Sequence, residues 1–182
     1  MAKKKSKKKK KRPSQAWKGL EKHVAEVLGG TRILRGSNFS MSLPDVVVDG
    51  QALGLPAGTS IVVECKHSKN QPFIELLKNA FIKDSMIAIH DHVNGYDFIF
   101  WDLKDTKEVL GIFKAGVEPE DITSHLKTIP QYIRDNLIQA EGYNLVNCPQ
   151  GNKIFRMVVM AKKNQPLRLA YTTLNYLLAL EE

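Results

Sequence analysis

Two runs of β-branched residues, Val46-Val47-Val48 and Ile61-Val62-Val63, flank a glycine-containing stretch from Gly50 to Gly58. This arrangement constrains the fold more than any other feature of the chain. β-Branched side chains are stiff in a helix and pack well on a pleated, buried surface. "PDVVVDG" and "SIVVECKH" therefore read as strands, with Pro44 at the start of the first, where proline is tolerated. "GLPAG" reads as the turn between them. If the two strands pair antiparallel, the start of the first lies beside the end of the second. Asp45 and Glu64 then converge at one end of the pair. Glu64 and Lys66 are two residues apart, so they share a face.

The remaining elements are read from periodicity. Ser14 is a plausible N-cap for "QAWKGLEKHVAEVL", whose Trp17, Leu20, Val24, Val27 and Leu28 fall at helical spacing before Gly29-Gly30. "TRILR" reads as a short strand and "GSNFSMSL" as a polar loop. Gln71 to about His90 reads as a long helix, with Pro72 in its first turn. "YDFIFWDL" and "EVLGIFK" read as a hairpin around "KDT". "EPEDITSHL" and "PQYIRDNLIQA" read as short helices and "NKIFRMVVMAKK" as a strand. "YTTLNYLLALEE" reads as a closing helix, although "PLRLAYT" equally fits the start of a strand. The sum is an α/β layout, a mixed central sheet flanked by helices. The expected organisation is a basic tail over 1–13 and one domain over 14–182. Its core spans about 15–113, and 114–182 is a C-terminal elaboration.

The chain has 182 residues, 43% hydrophobic and 25% charged, which is ordinary for a globular domain. Its net charge of +8 is not spread evenly. Residues 1–12, "MAKKKSKKKKKR", hold nine of the 27 basic residues, leaving 18 basic against 19 acidic residues in the rest. Lys3 to Arg12 thus form an arm suited to phosphate neutralisation, expected to be disordered. The competing reading is a solubilising or targeting tail. No apolar run approaches the ~18 residues of a membrane span. No apolar segment follows the basic start, so no secretory signal is expected. Cys65 and Cys148 lack metal-ligand spacing and read as reduced thiols of a cytoplasmic protein.

Two carboxylates meeting beside a lysine form a hard-oxygen site for a divalent cation. Pro44-Asp45, eighteen intervening residues and Glu64-Cys65-Lys66 resemble the P-D-(x)n-(D/E)-x-K signature of the PD-(D/E)xK nuclease superfamily. "KGLEKHVAEVL", a strand ending in arginine and "GS" before "PD" further resemble archaeal-type Holliday-junction resolvases and their phage relatives. The resemblance covers about residues 15–101. It implies a restriction-endonuclease-like core and a metal-dependent DNA endonuclease, with a structure-selective resolvase leading. Asp45, Glu64, the Cys65 backbone carbonyl and Glu21 would hold Mg²⁺, with Mn²⁺ as a substitute, and Lys66 would be the catalytic lysine. Glu26 is the alternative to Glu21, on a different helix face. Ser37 matches a loop serine near the scissile phosphate. The implied reaction is metal-assisted phosphodiester hydrolysis, with water attacking phosphorus in line with the leaving 3′-oxygen. DNA is the expected partner, and a homodimer fits the two symmetric strands of a four-way junction. A viral protein acting in the host cytoplasm is the alternative setting.

Other readings compete. A restriction-type or repair endonuclease would use the same fold. A non-catalytic nucleic-acid-binding protein would rely on the tail alone. His67 and Lys69 are candidate phosphate contacts, or solvated strand-end residues. His90-Asp91-His92 invites a zinc reading, but the sequence offers no further ligand pair at zinc spacing. Trp101 and the phenylalanines of "FIFW" read as core rather than as base-stacking platforms.

Overall fold

The computed structural model describes residues 16–34, 43–117, 128–143 and 153–180. The first helix, α1 (Ala16–Leu28), buries Leu20, Val24 and Leu28. Gly29 follows it at φ 67°, the left-handed conformation that glycine adopts without strain. Next come β1 (Thr31–Arg32), β2 (Val46–Asp49) and β3 (Thr59–Ser68). A 3₁₀ turn over Gly50–Leu53, capped by the Asp49 side chain, lies between β2 and β3. Gly30 passes so close to β2 that an added Cβ would stand 2.8 Å from the Val47 carbonyl oxygen.

Beyond β3 the chain forms α2 (Pro72–Leu77), β4 (Met86–Asp91), β5 (Tyr96–Asp102), α3 (Thr106–Lys114) and α4 (Gln131–Glu141). The last elements are β6 (Lys153–Lys162), β7 (Arg168–Thr173) and α5 (Leu174–Leu178). Among the described residues, seven strands make one mixed sheet in the order β1-β2-β3-β6-β7-β5-β4. Only β3 and β6 run parallel among the paired strands; the other five pairings are antiparallel. Residues 153–173 thus provide the sheet's middle strand, β6, and its neighbour β7, rather than decorating a finished core.

Side-chain alternation gives the sheet two apolar faces. Ile61 and Val63 of β3, Met157 and Val159 of β6 and Ile99 and Trp101 of β5 pack with α1, α3 and α5. Val158 and Met160, Phe98 and Phe100, and Leu169 and Tyr171 pack with α2 and α4. Fully burying one such side chain contributes about 1.5–3 kcal/mol.

Three expectations are corrected here. The long helix over 71–90 does not form. α2 stops at Leu77, a 3₁₀ turn covers Ala80–Ile82, and 86–91 is β4. Leu76, on the apolar face of the expected helix, is 50% exposed, and Ile82 is 80% exposed. Ile87 and Ile89 instead obey the strand period, paired with Phe100 and Phe98. "EVLGIFK" is helical because Thr106, Val109, Leu110 and Phe113 share one helix face against the core. The hairpin therefore joins β4 to β5 across Asn94-Gly95, with Gly95 at φ 73°. "TRILR" contributes only Thr31 and Arg32 to the sheet. "PLRLAYT" takes the strand alternative as β7, and the closing helix is short. "EPEDITSHL" lies outside the described residues. No described helix is long and apolar enough to cross a membrane.

Candidate functional site

β2 and β3 pair antiparallel, with Val46 opposite Val63, which sets Asp45 beside Glu64. Asp45 is pinned from both sides. Its N–H donates to the Val63 carbonyl (3.2 Å) and its carbonyl accepts from the Ile33 N–H (2.9 Å). Its Oδ2 accepts the Cys65 N–H at 2.8 Å. Asp45, Glu64 and Glu21 are only 7%, 2% and 7% exposed. All three line one cavity of about 580 Å³, together with Lys66, Arg32 and Lys18. Three carboxylates and three cations thus wall one space. Buried acids are costly unless paired or engaged with a cation.

The two faces of the sheet supply different partners. On the α1 side, Arg32 Nε donates to Glu21 Oε2 at 2.5 Å. Glu26 points elsewhere, exposed and 3.8 Å from Lys22. On the α4 side the side chains close a ring. Lys66 Nζ donates to Glu64 Oε1 and to Gln139 Oε1, both at 2.7 Å. Gln139 Nε2 donates to Tyr143 Oη at 2.7 Å, and Tyr143 Oη donates to Glu64 Oε2. Gln139 and Tyr143 are four residues apart, so α4 presents both to the same neighbour. Lys66 and Glu64 are therefore not a solvated strand-end pair: the Glu64 side chain is 3% exposed, that of Lys66 31%.

Cys65 lies between the acids. Burial pushes its thiol well up from the ordinary cysteine range, and the negative charges of Asp45, Glu64 and Glu21 add to the effect against Lys66. That thiol stays protonated and is a poor nucleophile. His67 and Lys69 fall outside the cavity lining. His67 points to the sheet face opposite Lys66. Its pKa is lowered by burial and then by Arg168. At neutral pH it therefore offers less positive charge than an ordinary histidine. Lys69 is exposed just past the end of β3. Ser37 and Lys3 to Arg12 lie outside the described residues. His90 and His92 meet ring to ring with centroids 4.8 Å apart, and His90 Nδ1 is 2.8 Å from Asp97.

Among the described residues, no group of three or more His, Cys, Asp or Glu side chains is gathered as a metal-holding cluster. Glu21 is held instead by Arg32. What remains beside the cavity is a pair of buried carboxylates, Asp45 and Glu64. That donor set suits Mg²⁺, which commonly takes one or two protein carboxylates and completes its shell with water and phosphate. Sequence reasoning missed Gln139, Tyr143 and Arg32. The i, i+4 spacing of Gln139 and Tyr143 was readable, but not the strand they would face.

Compared with known proteins, the chain matches no family model, no curated protein and no solved structure.

Proposed function

We propose that the protein is a metal-dependent DNA endonuclease of the PD-(D/E)xK type, built on a restriction-endonuclease-like core. The observation that carries this reading is the shared cavity of Asp45, Glu64 and Lys66, at the end of an antiparallel strand pair. Asp45 and Glu64 would hold the cation, and Glu21 closes the α1 side of the cavity through Arg32. A bound Mg²⁺ supplies Lewis-acid activation and charge neutralisation at phosphorus. Lys66 brings a positive charge to the same space. It has three N–H donors, of which two are committed to Glu64 and Gln139. The third suits a phosphate oxygen or the attacking water. Gln139 and Tyr143 fix the lysine and the glutamate relative to each other, and such positioning is a large part of phosphoryl-transfer catalysis. The basic arm adds sequence-independent attraction to DNA. A structure-selective, resolvase-like substrate preference fits that mode of binding.

The test is incubation of the full chain with labelled four-way junction, flap, linear duplex and single-stranded DNA, with Mg²⁺ or with EDTA. Cleavage of at least one substrate in Mg²⁺ only is expected. Absence of cleavage on the whole panel, in Mg²⁺ and in Mn²⁺, contradicts the proposal. Deleting residues 1–12 should weaken binding to duplex DNA and flatten its salt dependence, by about 0.9 in slope for each phosphate that the arm would have neutralised. Cleavage at saturating protein should be unchanged.

A further inference from the structure

α1 hides most of its apolar face, but leaves Val27 near its end partly exposed and Trp17 at its start more so. Leu20, Val24 and Leu28 are 3% exposed or less, whereas Trp17 is 50% exposed. The chain's other tryptophan, Trp101, is fully buried and donates its indole N–H to Thr106 Oγ1 at 3.0 Å. Packing therefore accounts for Trp101 but leaves half of Trp17 unused. Trp17 lines the same cavity as Asp45, Glu64 and Lys66, and so does Leu34, which is 74% exposed. The Lys18 ammonium stands 5.2 Å from the Trp17 ring centroid and lines that cavity too. An aromatic plane, an apolar neighbour and a cation thus meet beside a site already read as acting on phosphodiesters.

Building on that reading, we infer that Trp17 is a stacking platform for an unpaired base of the DNA strand entering the cleft, with Lys18 serving the adjacent phosphate. Stacking on a side chain needs a free base face. Inside a continuous duplex both faces of each base are occupied by neighbouring pairs. Aromatic platforms beside cationic tracks are how proteins hold single strands without reading sequence. The inference selects DNA with unpaired nucleotides, such as a single strand, a flap or an open branch point, over uninterrupted duplex.

Trp17 also supplies the readout. In EDTA, where no metal-dependent cleavage interferes, a 12-nucleotide oligothymidylate should quench the protein's tryptophan fluorescence, and a blunt duplex of the same length should not. The buried Trp101 contributes a constant background. Trp17→Ala should abolish the quench and weaken oligothymidylate binding about 5- to 160-fold, measured by anisotropy of a labelled strand. Blunt-duplex binding should be unchanged. Trp17→Phe, which keeps an aromatic face, should recover much of the affinity. Binding without a quench, loss of both affinities alike in Trp17→Ala, or no binding at all would each overturn the platform. Its failure is separable from that of the nuclease reading. Magnesium-dependent cleavage with no Trp17 effect sinks the platform alone. A Trp17-dependent quench with no cleavage on any substrate sinks the nuclease and leaves a single-strand-binding cleft.

Discussion

Asp91 and Glu64 are acids of nearly equal burial, 1% and 2% exposed, and each is paired with a cation. Their surroundings differ. Asp91 ends β4 and gathers donors from its own hairpin, the Val93 N–H at 3.0 Å and Asn94 Nδ2 at 3.1 Å. Arg134 Nη1 adds a third at 3.2 Å, and the same nitrogen also holds the Ile129 carbonyl at 2.9 Å. One carboxylate thereby ties the β4–β5 turn to α4. The cavity beside it, about 730 Å³, is walled largely by apolar groups such as Phe98, Leu137 and Tyr176. Glu64 instead shares its cavity with two more acids, Asp45 and Glu21. Grouping like charges in a buried space is costly unless cations accompany them, and Arg32, Lys66 and Lys18 line the same cavity. Asp91 is what a buried acid looks like when it serves the fold. Glu64 and its neighbours are arranged as a charge site.

Substitutions at the two acids and around them should separate the two roles. The largest effect is expected at Asp45. On the proposed reading, Asp45→Asn keeps the shape but removes one of the two carboxylates that would hold the cation. Single-turnover cleavage should fall by at least about three decades, with DNA binding retained; a near-wild-type rate would remove Asp45 from the site. Asp91→Ala comes next and acts on stability. It leaves the buried Arg134 without its anionic partner, which should cost about 3–5 kcal/mol, read as a lowered denaturant midpoint. Cleavage per folded molecule should stay near wild type. An unchanged midpoint would erase the distinction between the two acids. Gln139→Ala should be milder. It loosens Lys66 without removing it, so turnover should drop about tenfold, or ~1.4 kcal/mol, with little change in substrate affinity. Equal losses in rate and melting temperature would mark Gln139 as merely structural. Smallest is Glu75→Gln, at a partly exposed acid paired with Lys162 at 2.9 Å. Its melting temperature should barely move, because solvent screens a partly exposed pair of this kind.

The half of the site on β2 and β3 was legible because local chemistry dictates it. Valine and isoleucine runs separated by turn residues permit one simple pairing, and that pairing carries Asp45 to Glu64. The other half depends on long-range topology. Gln139 and Tyr143 meet Lys66 and Glu64 across 73 and 79 residues of chain. Their approach follows from β6 inserting beside β3 and carrying α4 across the same face. No local pattern encodes that insertion. The misreading of 71–114 has a different origin. Phe73, Leu77, Ala80, Phe81 and Ile87 satisfy a helical period by coincidence, while Asn94-Gly95 carried a hairpin signal that the apolar count obscured. Thr106, Val109, Leu110 and Phe113 had the helical period, hidden by the β-like run "VLGIF". Trp17 was counted toward the apolar face of α1, and only its exposure in the fold separates it from that face.

If the acids around the β2–β3 cavity serve chemistry rather than stability, removing one charge should separate activity from folding. The measurement is of denaturant stability and single-turnover cleavage in Mg²⁺ on the same preparation of Glu64→Gln. The glutamine keeps a side-chain acceptor for Tyr143, removes a buried charge and relieves its repulsion with Asp45 and Glu21. The partly exposed Lys66 can regain water. Stability within about 1 kcal/mol of wild type, or above it, is therefore expected, together with a loss of cleavage of at least about three decades. A Glu64→Gln protein that is several kcal/mol less stable, yet cleaves at the wild-type rate per folded molecule, would contradict the account.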